Sequence, residues 1–185
     1  MASIVYAMLM SLDGYIAGPQ QEFGLPIPEA ELHRHFNQLM RRTSVALYGR
    51  RMYEVMRYWD SPEREQDSGE VEMDFAHAWR ETPKVVFSTT LREVGPNARL
   101  VNSGGIEVVR SLKADGDGEI GVAGPTLAAE LARSGLIDEY RLYLHPIVLG
   151  GGKPYFQQGL SLRLKPLGRE SLPQGVTLLR YAPAG

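Results

Sequence analysis

Three short stretches of this chain pair a small residue with groups suited to an anion: Gly49-Arg50-Arg51, Ser88-Thr89-Thr90 and Gly124-Pro125-Thr126. Each follows a short run that reads as a strand, namely Ser44 to Tyr48, Lys84 to Phe87 and Ile120 to Val122. Where a strand turns directly into a helix, the first helical N–H groups point beyond the strand end and favour negative charge. Arginine adds a planar fork of donors that matches phosphate. Serine and threonine hydroxyls can bind phosphate or ribose, and they also make ordinary turns. The chemistry of the three stretches together is phosphate binding. Each also has a structural alternative: two arginines with solvated heads, a hydroxyl-rich turn, or a tight strand-to-helix connection with proline at the first helical position.

Other residues carry reactive groups. Asp13, before Gly14, can orient a substrate or relay a proton; it can equally be a turn carboxylate bonded to its own backbone. Tyr53, Tyr58 and Trp59 can line a pocket for a planar molecule, with Trp59 also suited to the core. Glu54 reads as a solvated or helix-pairing charge. His145, before Pro146, is either a proton donor or a structural histidine. His33, His35 and His77 lack the spacing of a metal site, so no metal is expected.

These residues need a scaffold. Ser3 to Met10 is an apolar run ended by Asp13-Gly14, a buried strand followed by a turn. Pro28 to Arg42 has helical spacing at Leu32, Phe36, Leu39 and Met40, with acids at its start and arginines at its end. Arg50 to Met56 opens another helix, with Met52, Val55, Met56 and Trp59 on one face. Residues 60–74 are acidic and read as a solvated loop with some helix, placed to lie over a site. Arg99 to Val101 is a short strand, after which Asn102 or Ser103 can cap a helix using Val108, Val109 and Leu112. The helix after Gly124 ends at Gly135. Beyond it Tyr140, Leu142 and Leu144 alternate with Arg141 and Tyr143, Leu162 and Leu164 alternate with Arg163 and Lys165, and Val176 and Leu178 flank Thr177. Alternation predicts antiparallel strands with one exposed face, added at one edge of the sheet. Strand–helix alternation followed by strands alone predicts an α/β sheet with a β-rich C-terminal end.

At 185 residues, 43% hydrophobic and 23% charged, the chain has the size and composition of one globular domain, taken as residues 1–185. A net charge of −2 gives no electrostatic reason to expect nucleic acid or an anionic membrane. The absence of cysteine excludes disulfides, thiolate metal sites and a cysteine nucleophile, and fits a cytoplasmic protein. The apolar start is too short for a signal-peptide core or a membrane span. Exposed strands near Tyr140 to Leu144 can pair subunits, so a homodimer is expected.

Six segments occur in an order that resembles the dihydrofolate reductase-like superfamily. They are Met10 to Ala17, Leu47 to Glu54, Lys84 to Thr89, Gly124 to Leu127, Gly135 to Glu139 and Pro146 to Gly152. The similarity is closest to the branch that includes the C-terminal reductase domain of bacterial riboflavin biosynthesis. It implies a three-layer α/β fold: a mostly parallel twisted sheet with antiparallel C-terminal strands and flanking helices. It implies NADPH across the strand ends and hydride transfer to a small planar heterocycle or carbonyl compound, pterin-like or aminopyrimidine-like. Arg50 and Ser88 match positions that hold the adenosine 2′-phosphate, with Gly49, Arg51, Met52 and Thr89 beside them. Gly124, Thr126 and Leu127 match the pyrophosphate seat, and Val122 and Pro125 join the cofactor contacts. Ala7, Ile16 and Ala17 match the wall around the nicotinamide. Asp13, the candidate catalytic residue, belongs with Tyr53 and Trp59 to the substrate side. The alternative is a non-catalytic nucleotide- or flavin-binding protein of the same fold. The chain differs from its relatives at Ala123, where a glycine is usual, at Ala7, where riboflavin reductases carry lysine, and in the helix to Arg42, whose acids stand only in its first turn.

Overall fold

The computed structural model describes residues 1–20, 24–61 and 69–184. The stretch 62–68, the middle of the acidic segment 60–74 expected to lie over a site, is outside the described residues. Ten strands and five α-helices are described: β1 (Ser3–Ser11), β2 (Tyr15–Ala17), α1 (Ala30–Arg42), β3 (Thr43–Gly49), α2 (Arg50–Met56), α3 (Glu70–Glu81), β4 (Lys84–Phe87), β5 (Ala98–Val101), α4 (Gly105–Asp115), β6 (Glu119–Ala123), α5 (Pro125–Arg133), β7 (Glu139–His145), β8 (Lys153–Pro154), β9 (Leu164–Ser171) and β10 (Thr177–Pro183). Eight strands form one sheet in the order β5-β4-β3-β6-β1-β7-β10-β9, while β2 and β8 make a separate two-stranded ribbon. From β5 to β7 all pairings are parallel; β10 runs antiparallel to both β7 and β9.

The sheet is covered on both faces, which makes the fold a three-layer α/β structure. On one face Ile4, Tyr6, Ile120 and Val122 pack with Val109 of α4 and with Leu127, Ala128 and Leu131 of α5. On the other, Tyr48 and Val86 pack with Met40 of α1 and Trp79 of α3, and Tyr143 and Leu178 pack with Leu32 of α1. Burial on both faces explains why β1, β3, β4 and β6 read as near-continuous apolar runs. The stripe of α1 falls as its spacing predicts, with Leu32 and Met40 buried. On α2 the expected shared face is incomplete: Met52, Met56 and Trp59 join the core, while Val55 is exposed.

Three expectations are corrected. Strand β7 is not an exposed strand available to a second subunit; it lies between β1 and β10, with Tyr140 and Tyr143 each 1% exposed. Its polar positions are covered too, because Arg141 grips both carboxylate oxygens of Glu119 (2.9 and 2.7 Å) and reaches Glu139 (2.8 Å). Arg180 of β10 binds the same Glu139 at 2.7 Å. Neither Asn102 nor Ser103 caps α4; Gly104 does so in the left-handed region, with no side-chain bond. Strand β9 is longer than the alternation at Leu162 and Leu164 predicts. It is mostly exposed and carries Pro166 and Gly168, residues that an edge strand tolerates. The end of α5 follows expectation: Gly135, at φ +66°, lets its own N–H bond Ala132 and that of Leu136 bond Leu131.

Candidate functional site

Register places the three anion-suited stretches side by side. Gly49 is level with Phe87, Tyr48 with Ala123, and Tyr6 with Val122. The chain therefore leaves β3, β4 and β6 along one edge of the sheet, at their carboxyl ends. Strand β1 continues past this line to Ser11, and β7 keeps pace with it to His145. Since β6 has ended, the flank of β1 from Ala7 onward has no paired strand on that side among the described residues. This step at the carboxyl ends is the crevice in which open α/β sheets bind ligands.

The two glycines at the step are fitted to their neighbours. Gly124 has φ +97°, and a side chain there would bring its Cβ to 3.2 Å from Met52 Cβ. A Cβ on Gly49 would lie 3.9 Å from that of Leu127. The starts of α2 and α5 thus meet across the strand ends. Pro125 occupies the first turn of α5, where a missing N–H costs nothing, and no side chain caps that helix. Its leading N–H groups and the Thr126 hydroxyl stand at the crevice. Val122, Pro125 and Leu127 are buried beneath.

Beside them Arg50 Nη1 donates to Thr90 Oγ1 at 3.0 Å. Ser88 Oγ accepts the N–H groups of Thr90 (3.2 Å) and Leu91 (3.0 Å), a turn that holds both hydroxyls toward the arginine. Arg50 also faces Glu54 at 3.6 Å, an exposed pair that contributes little. Arg51 and Thr89 are exposed next to this cluster. One guanidinium and two hydroxyls at a solvent-facing point match a terminal phosphate. Thr90 is the member that reasoning from the resemblance omits, although it adjoins Thr89.

At the far end of β1, Asp13 is committed to structure. Its carboxylate accepts the N–H groups of Leu149 (3.1 Å) and Gly150 (2.7 Å). A hydrogen bond from the Ser11 hydroxyl, with these two backbone bonds, holds its pKa below the usual carboxylate value. An ionised, fully engaged carboxylate clamps a loop and is a poor proton donor. That loop leads to Gly152, where a Cβ would fall 2.0 Å from the Ala17 oxygen. Only glycine allows this approach, and it seats β8 on β2 with Ala17 opposite Lys153. Lys153 then extends to the start of α5, its Nζ 3.3 Å from Thr126 Oγ1. Ile16 is buried in the core and Ala17 half-buried on the ribbon, while Ala7 packs toward α1.

Tyr53 does not line a pocket: it is 1% exposed, and its hydroxyl accepts the Gly95 N–H at 2.7 Å. Trp59 stacks in an aromatic group with Phe75 (4.7 Å), Tyr58 (5.4 Å) and His33 (5.8 Å) and is half-buried there. His145 is fully buried, next to Ser11 in register, and neither ring nitrogen has a hydrogen-bond partner among the described residues. Burial lowers its pKa, so the ring is neutral near pH 7.

Residues 2–178 match the RibD C-terminal domain. The uncharacterized protein YyaP of Bacillus subtilis is 28% identical over 180 residues, which cover 96% of this chain and 93% of that protein. A candidate riboflavin biosynthesis protein from Shewanella sp. PV-4 superposes with a TM-score of 0.75 at 26% identity, covering all of both chains. Dihydrofolate reductase from Enterococcus faecalis, solved with NADP(H), superposes with a TM-score of 0.67 at 11% identity over 99% of this chain and 97% of its own. The last likeness is one of fold.

Proposed function

The chain belongs to the RibD C-terminal domain family, and from that premise we propose that it is an NADPH-dependent reductase. The observation that carries the reading is the cluster of Arg50, Ser88 and Thr90, level with the uncapped start of α5 along one sheet edge. A dinucleotide with a 2′-phosphate needs a terminal phosphate site and a pyrophosphate site in line, and these residues fit both. Bound NADPH would supply the hydride. Arg50, Ser88 and Thr90 would hold the 2′-phosphate, with Gly49, Arg51, Met52 and Thr89 around it. Gly124, Thr126 and Leu127 would seat the pyrophosphate over Val122 and Pro125. Ala7, Ile16 and Ala17 would wall the nicotinamide against the open flank of β1. Asp13 acts by fixing the loop to Gly150, and the proton that accompanies reduction comes from water. The acceptor is an electron-poor C=N or C=O in a small planar heterocycle or carbonyl compound, pterin-like or aminopyrimidine-like.

Fluorescence titration tests the cofactor. Arg50→Ala and Ser88→Ala should each weaken NADPH binding by about tenfold or more, the loss expected for a charge-assisted hydrogen bond, and leave NADH little changed. Equal wild-type affinity for NADPH and NADH, with no effect of either change, would refute it. One observation favours a second reading, binding without turnover: Asp13 is held ionised and His145 is sealed from solvent. NADPH consumption with a panel of pterins, aminopyrimidines, quinones and aldehydes separates the two. A cytoplasmic setting accompanies the reductase reading, because NADPH is the reductant of that compartment. We also place a homodimer at the free edge of β9, where Leu167 is 47% exposed.

A further inference from the structure

Lys153 is the one cation brought to the crevice by the substrate-side loop, and no reading of the strand-end motifs includes it. Its position is imposed by backbone. Asp13 pins the N–H groups of Leu149 and Gly150, Gly152 packs against Ala17 with no room for a Cβ, and the β2–β8 pairing sets Lys153 opposite Ala17. From there Nζ lies 3.3 Å from Thr126 Oγ1. That hydroxyl uses one of the three donors an ammonium carries. No carboxylate among the described residues forms an ion pair with Lys153. An ammonium aimed at an uncapped helix start, where the backbone is already positive, is unfavourable unless an anion joins them. We infer that Lys153 is a ligand of the dinucleotide pyrophosphate, closing over the phosphates from the side opposite Gly124. The inference rests on the NADPH reading and adds to it a contact from a different part of the chain. It makes the cofactor site a two-sided clamp: strand ends on one side, the β2–β8 ribbon on the other. It also gives Asp13 a role in cofactor binding, since the carboxylate positions the segment that delivers the lysine.

The test compares wild type, Lys153→Gln, Lys153→Arg and Arg50→Ala by titration with NADPH and by competition with adenosine 2′-monophosphate, which has the 2′-phosphate and no pyrophosphate. Lys153→Gln should weaken NADPH by about tenfold or more, a charge-assisted contact, and leave adenosine 2′-monophosphate within twofold. Lys153→Arg should recover most of the loss, and Arg50→Ala should weaken both ligands. Circular dichroism and the thermal midpoint check that Lys153→Gln is folded. NADPH affinity within twofold of wild type in Lys153→Gln, or equal loss of both ligands, overturns the inference while the cofactor reading stands. Absence of NADPH binding in wild type overturns the cofactor reading itself.

Discussion

Lys84 lies at the start of β4, 2% exposed, with Nζ donating to the Thr82 carbonyl at 2.9 Å and lying 4.1 Å from the Trp79 ring. Burial lowers its pKa from 10.5 to about 8, against a smaller opposing pull from Asp60. Between those values the unfolded chain binds the extra proton, so stability must rise with pH. Below pH 8 the cost of the buried charge is present in full; above it the cost is relieved. From pH 8 to 10 the gain is on the order of 2 kcal/mol. The buried hydroxyls of Tyr6, Tyr48 and Tyr155, all raised by burial, reverse the trend above pH 10. Urea unfolding at pH 7, 8, 9 and 10 should show the rise in wild type and its loss in Lys84→Met; a flat wild-type profile refutes it. At this scale, residue type marks Arg50 and Ser88 as suited to an anion but equally as solvated arginine and turn hydroxyl, and the resemblance is what assigns them to a 2′-phosphate. Tyr53 was misread because an aromatic ring suits core and pocket alike, and only the position of Gly95 decides. Lys153 was illegible because its meaning depends on Thr126, with which it has no sequence relation.

Helices and buried strands were legible because burial on one or two faces leaves a period or an apolar run. Elements without such a face were not. The ribbon of β2 and β8 has only three and two residues, and its pairing depends on the approach of Gly152 to Ala17. The approach can be tested element by element. Gly150 and Gly152 both have positive φ, +74° and +126°, but a Cβ at Gly150 meets nothing within 4 Å. Gly150→Ala should therefore carry backbone strain alone, about 1 kcal/mol. Gly152→Ala adds a backbone collision and should cost at least about 2 kcal/mol, a fall of roughly 4–8 °C in thermal midpoint. Equal midpoints for the two variants would show that the ribbon is not seated by this contact.

Strand order was the least legible feature, because nothing local in β1 states that β6 and β7 flank it. The residue pattern predicted an α/β sheet with C-terminal strands at one edge, and the sheet has that form; the resemblance added that it is mostly parallel with flanking helices, and the order itself comes from the structure. The expected subunit contact moved for the same reason: alternation in β7 marks a strand whose polar side is closed by Glu119, Glu139 and α1. The free edges of the main sheet are β5 and β9. If β9 pairs copies, sizing should give a dimer, and Leu167→Glu should yield monomer with unchanged NADPH affinity; a monomeric wild type excludes the dimer. The central place of β1 also bears on synthesis. Ile4 and Asp138 are joined across 134 residues by a 2.8 Å hydrogen bond. At about 5–20 residues per second, the ribosome needs roughly 7–27 s to make that span. Strand β1 is thus made long before either neighbour, and until β6 follows it an apolar segment stands unpaired on the nascent chain, open to chaperones or to another copy on the same message.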